Sequence, residues 1–213
     1  MLFNLIKKDF LIVKKYVYIM LVVAFLIPPF MLWRIPEAAG GMGFTLAVIF
    51  SIFMLTQYVF LKEHQYPKAT TLLCAMPYSR KLIVLSKYCF CLIIYVICCL
   101  IFEIDTLIFR GLGTFDVKIA IITFLAVFII LSVYFPVLYK FGYEKTKFIF
   151  AAIIMLSPVL CAFLFKSEYR IGFDFLNSVS IFSIITGGVI IGLAVLAISA
   201  ILSIKIFEKS DLA

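Results

Sequence analysis

The sequence predicts an all-α polytopic membrane protein: six transmembrane helices, an N-terminal amphipathic interfacial helix and a short cytoplasmic helix between spans two and three. Three observations carry this. Hydrophobic residues make up 66% of the chain and charged residues 14%. Soluble domains run nearer half and a quarter, so lipid must cover apolar surface that a soluble core could not hide. Six apolar runs approach the roughly 20 residues a helix needs to cross a bilayer. Lys and Arg are distributed unevenly between those runs, as the positive-inside rule describes. The 24 Phe and 11 Tyr are bulky side chains suited to a lipid-facing surface.

The spans cover about 16–33, 42–61, 88–109, 117–139, 148–165 and 179–204. One set of flanking segments holds Lys7, Lys8, Lys14, Lys15, Lys62, Lys68, Arg80, Lys81, Lys87, Lys140, Lys145, Lys147, Lys205 and Lys209. The alternate set holds only Arg34, Arg110, Lys118, Lys166 and Arg170. The richer side is cytoplasmic, which places both termini inside, in agreement with an even number of spans. Residues 1–213 form one membrane domain. No cleaved leader is expected, because Pro28-Pro29 follows the first apolar run in place of a small-residue cleavage site.

Residues 1–15 are too short to cross. Leu2, Phe3, Ile6, Phe10 and Val13 fall on one side of a helix and Asn4, Lys7, Lys8, Lys14 and Lys15 on the other, the pattern of a helix lying in the inner interface. The longest loop, 62–87, opens with charge and carries Pro67 and Pro77 as breakers. Between them, residues 68–76 are long enough for two helical turns. A loop that only joined two spans could be far shorter, so this one has a further role.

Within the membrane, Glu103 and Asp105 lie in the outer third of span three. Buried carboxylates in lipid are costly and face a cavity or a partner. Two residues apart, they point about 200° from each other on a helix and cannot make one paired site. Either one faces a translocation path while the other reaches outward, or both sit at the outer interface because the span ends early. Gly188 and Gly192 form a G-x-x-x-G in span six, with Ser199 and Ser203 beyond, a pattern for close helix packing against another span or a second protomer. Pro28, Pro29, Pro136 and Pro158 are candidate kinks.

No catalytic chemistry is written in the chain. It lacks a phosphate-binding G-x-x-x-x-G-K-[ST] loop, an H-E-x-x-H and a G-x-S-x-G. His64 is the only His, and the six Cys include no C-x-x-C, so a metal site is not expected. The Cys read as small soft hydrophobes. The net charge of +8 is explained by topology, and no nucleic-acid motif accompanies it. Energy for any pumping must come from a partner ATPase or an ion gradient.

Loop 62–87 resembles the type-2 ATP-binding-cassette permease family. The matching order is Glu63, then Thr71-Leu72-Leu73, then Met76-Pro77-Tyr78-Ser79-Arg80, then Ile83-Val84-Leu85 and Ser86-Lys87. Met76 stands where members usually have Leu. The tail is similar too, through Ser203, Phe207, Glu208-Lys209 and Asp211-Leu212. The nearest subgroup is small bacterial permeases similar to exporters of phenol-soluble modulins. The resemblance implies a permease subunit in the bacterial cytoplasmic membrane with no cofactor of its own, ATP and Mg being held by a partner. It implies two copies of an ATP-binding subunit and a second permease protomer, identical or homologous. Residues about 65–76 would form a coupling helix that docks on the ATPase, with Glu63 near its start. Pro77 to Arg80 would then turn the chain back toward span three. Glu103 and Asp105 are the candidates for the path of a hydrophobic or amphipathic substrate such as a peptide toxin, an antimicrobial or a lipid-like molecule.

Two other classes compete. An ion-gradient transporter would show internal repeats and broken midplane helices, and residues 1–110 and 111–213 show no convincing repeat. A non-transport immunity or sensor protein would not need the long loop.

Overall fold

The structure is a computed structural model that describes residues 2–36, 39–66, 79–112, 117–165 and 181–209. The described residues are helical, with no strand among them. The helices are α1 (Leu2–Ile12), α2 (Lys14–Arg34), α3 (Ala39–Gln65), α4 (Arg80–Ile108), α5 (Val117–Phe141), α6 (Tyr143–Phe165) and α7 (Ile181–Lys209), with a 3₁₀ turn at Arg110–Leu112. Five are long and apolar enough to cross a bilayer: α2, α3, α4, α5 and, over Thr186–Lys209, α7. Helix α6 has 23 residues and lies between the last two of these in sequence. The chain is therefore a polytopic helical membrane protein.

Helix α3 is the centre of the bundle. It is the most buried of the five candidate spans, with α2, α4 and α6 packed around it, while α5 pairs with α7 and α1 lies against α4. The largest fully buried side chains include Phe44, Phe53, Phe90, Phe128 and Phe135. The expectation that Phe serves the lipid surface is thus only half of its use. Aromatic rings fill the interior in tilted and edge-on pairs, such as Tyr88–Phe135 at 4.7 Å and Phe124–Phe128 at 4.5 Å. Such offset pairs are favoured over face-to-face sandwiches. Leu, Ile and Val dominate the exposed apolar surface, together with Phe3, Phe30, Phe148 and Trp33.

Polar side chains stitch the helices where no hydrophobic force acts between lipid-immersed surfaces. Thr45 of α3 and Thr123 of α5 share a hydrogen bond of 3.0 Å. The Tyr88 hydroxyl of α4 lies 2.7 Å from Ser199 Oγ and 2.9 Å from Ser203 Oγ of α7. Ser199 Oγ donates to the Ser132 carbonyl of α5 at 2.7 Å. Between α5 and α6 the chain reverses at Gly142, whose φ of 77° is the left-handed conformation that lets a glycine end a helix. Its N–H donates to the Leu138 carbonyl at 2.9 Å.

Two boundaries differ from the sequence expectation. Helices α3 and α4 extend into loop 62–87 from both sides, so residues 62–65 and 80–87 are helical. Glu63 from one stretch and Lys87 from the other pair across the helices. The N-terminal helix also stops short, breaking at Val13, and its buried face is Leu5, Ile6, Asp9 and Val13. Phe3 is 74% exposed. The face turned toward the protein is set by Asp9, which finds its counter-charges there.

Candidate functional site

The charged residues around loop 62–87 converge into one buried cluster. A spacing of four places Leu5 and Asp9 of α1 on a single helix face, with Val13 just beyond its end, and all three are buried. The same logic on α4 aligns Val84, Lys87, Tyr88 and Cys91, also buried. Helix α3 contributes Glu63 from its last turn. Lys87 Nζ lies 2.9 Å from Asp9 Oδ1 and 2.6 Å from Glu63 Oε1. Lys8 Nζ completes the set at 3.1 Å from Asp9 Oδ1 and 3.0 Å from Glu63 Oε1.

Two ammonium groups and two carboxylates cancel, which is the condition for placing four charges together away from water. The ring of Phe60 supports Lys87 from below, 5.3 Å from its Nζ. The cluster is graded in exposure: the side chains of Asp9 and Lys87 are 0% and 3% exposed, those of Lys8 and Glu63 24% and 20%. Asp9 Oδ2 and the Tyr139 hydroxyl are buried without hydrogen-bond partners.

A second junction joins the start of α4 to the end of α7. Ser79 caps α4, its hydroxyl accepting from the Leu82 N–H at 3.4 Å, as an N-cap serine does. Next to it, Arg80 donates to the Phe207 carbonyl at 3.3 Å and the Glu208 carbonyl at 3.0 Å. A cation suits the negative end of a helix. The Ser79-Arg80 pair of the loop and the Phe207-Glu208 pair of the tail, far apart in sequence, are thus neighbours.

Glu63 was expected near the N-terminus of a loop helix. In the structure its carboxylate is taken by Lys8 and Lys87. Thr71, Leu72, Leu73, Met76 and Pro77, with the body of the expected coupling helix at 65–76, lie outside the described residues. Asp211 and Leu212 of the tail do so too.

Glu103 and Asp105 part company. Helix α4 continues through both to Ile108. Glu103 is exposed on an apolar face with Leu100, Ile104 and Leu107. Asp105 is fully buried, and neither carboxylate oxygen has a hydrogen-bond partner.

Gly188 and Gly192 are buried against α5. A Cβ on Gly188 would collide with Ile121 Cγ2, and one on Gly192 with the ring of Phe124. Among the described residues no three His, Cys, Asp or Glu side chains converge as metal ligands would.

The sequence reading does not single out Asp9; it reads Lys8 as a topology charge, and Lys87 as a topology charge and the end of the loop motif. One signal was available. Asp9 is the only acidic residue before Glu37, and it interrupts the apolar face of an amphipathic helix, which a carboxylate does only with a partner.

Five helices long and apolar enough to cross a bilayer, with a buried charge cluster where α1, α3 and α4 meet, define a multi-pass membrane protein. The chain belongs to the ABC-2 transporter family: the family model for ABC-2 family transporter proteins matches residues 4–208. It is a permease of an ATP-binding-cassette transporter, of the kind that works with an ATP-binding subunit. No curated protein and no solved structure matches the chain.

Proposed function

We propose that the chain is the permease half of an exporter for an amphipathic or hydrophobic substrate, such as a peptide toxin, an antimicrobial or a lipid-like molecule. It has six spans, with α6 as the fifth, and both termini lie in the cytoplasm. Two permease protomers enclose the path and two ATP-binding subunits drive it. The observation that carries the coupling half of this reading is the Lys8–Asp9–Glu63–Lys87 cluster. It ties the two helices that frame loop 62–87, α3 through Glu63 and α4 through Lys87, to each other and to α1. A partner pressing on the loop therefore moves three helices as one body. A coupling helix at about 65–76, with Leu72 and Leu73 as its apolar contacts, is the part the ATPase would grip. Glu103, exposed on an otherwise apolar face, is the carboxylate placed to face the path. Asp105 is directed inside the protomer.

Co-expression with a candidate ATP-binding subunit, followed by purification through a tag on this chain, tests the reading. Stoichiometric ATPase is expected. Leu72→Asp with Leu73→Asp should abolish co-purification while the chain remains inserted. Transport without any ATPase that collapses on adding a protonophore would replace this reading with a gradient-driven carrier.

A further inference from the structure

Among the described residues, helix α1 has a second face against which no other helix packs. Leu5, Ile6, Asp9 and Val13 are buried, whereas Phe3 is 74% and Leu11 60% exposed, with Asn4 and Lys7 exposed beside them. On this outer side Asn4, Lys7, Lys8, Leu11 and Ile12 form one open, shallow surface along the helix. Lys14 and Lys15 follow immediately, both exposed. The only carboxylate in residues 2–15 is Asp9, which is fully buried and held by Lys8 and Lys87. The exposed charge of this segment is therefore entirely positive, and it adjoins exposed apolar side chains.

We propose that the outer face of α1 is a binding site for an anionic phospholipid. Its headgroup phosphate lies against Lys7, with Lys14 and Lys15 beside it, and its acyl region runs along Phe3 and Leu11. The match is of charge and of polarity. A basic amphipathic helix binds through buried apolar area together with attraction to anionic lipid, and each basic residue near such a surface adds to the affinity. A zwitterionic lipid offers the same acyl contact without the net charge. Lys8 belongs to this face and to the charge cluster at once, so the lipid sits one residue away from the base of loop 62–87. The proposal rests on the membrane reading of the chain and is independent of how the ATPase docks.

The test uses the full-length protein in detergent, titrated with phosphatidylglycerol or phosphatidylcholine, with bound lipid counted by native mass spectrometry. Phosphatidylglycerol should bind at least tenfold more tightly, and 0.5 M salt should remove most of the difference. Lys7→Gln, Lys14→Gln and Lys15→Gln combined should lower its affinity by about fivefold per lysine. Lys205→Gln with Lys209→Gln, exposed lysines elsewhere, should leave it unchanged. Unchanged melting temperatures would show that the variants fold. Equal binding of the two lipids, an unaffected triple variant, or an equal loss in the Lys205/Lys209 control would overturn the proposal. So would displacement of the lipid by an equal concentration of inorganic phosphate, which marks a simple anion site. A triple variant that keeps lipid preference but loses the ATPase would make this face a protein interface, and would also overturn it.

Discussion

Lys87 and Asp9, 78 positions apart in the sequence, meet at 2.9 Å with both side chains shut away from solvent. Neither charge could stand there alone. Removing one partner of a buried ion pair strands the other and costs about 3–5 kcal/mol, while replacing both by apolar groups is often neutral. The pair is therefore better read as fixing where α1 sits than as a source of net stability.

This reasoning predicts a sign pattern. Lys87→Leu or Asp9→Leu alone should destabilise the protein by about 3–5 kcal/mol. The double variant should lose much less, because Lys8 and Glu63 remain paired at 3.0 Å. Lys8→Gln should cost about 1 kcal/mol, since its partly exposed side chain adds the least desolvated contact. Thermal melting in detergent, followed by gel filtration, reads all four. Additive losses in the Lys87/Asp9 double variant would mean that the pair is not coupled.

The G-x-x-x-G prediction concerns shape. Gly188 and Gly192 leave no room for a Cβ against Ile121 and Phe124. Overpacking of this kind costs about 1–3 kcal/mol. Gly192→Ala should lower the melting temperature, and Phe124→Leu, which frees the space taken by the ring, should recover part of the loss in the double variant. Absence of any recovery would place the strain elsewhere.

The polar link between α4 and α7 is expected to be weaker. Tyr88→Phe deletes a hydroxyl shared by Ser199 and Ser203, but Ser199 keeps the Ser132 carbonyl. Hydrogen bonds between membrane helices average about 0.6 kcal/mol in double-mutant cycles and reach about 1.7. A loss near 1 kcal/mol is expected in the same melting assay, well below that of Lys87→Leu.

The helices were legible because lipid imposes the simplest of patterns: about 20 apolar residues and flanking charge. Their ends were not. Lys62, Glu63 and Lys87 look like loop residues to a hydropathy count, yet they are helical. Glu63 and Lys87 are tolerated there by pairing across helices, an arrangement no local window contains. The glycine spacing of α7 showed that something packs closely, but its partner, α5, is a tertiary fact. Asp9 escaped notice because a single carboxylate among lysines reads as one more solvated charge, whereas here it is the residue that orients α1.

Asp105 supplies a prediction of the opposite sign. Both of its oxygens are buried without hydrogen-bond partners, and an unsatisfied buried polar group costs about 1–3 kcal/mol by protein mutational measures. Asp105→Leu should therefore raise stability by about that amount, while Asp105→Asn, which leaves an amide equally stranded, should change it little. Glu103→Leu serves as the comparison. Glu103 is exposed among Leu100, Ile104 and Leu107, so its replacement should leave the melting temperature of the isolated protomer nearly unchanged. Transport by the assembled complex separates the two carboxylates again. If Glu103 faces the path, Glu103→Leu lowers transport without altering stability. If Asp105 is retained for function despite its burial, Asp105→Leu gives a more stable protein that transports less, the trade between stability and activity expected of a strained functional group. A drop in melting temperature for Asp105→Leu would show that the carboxylate is satisfied in the native membrane and would remove the basis of this prediction.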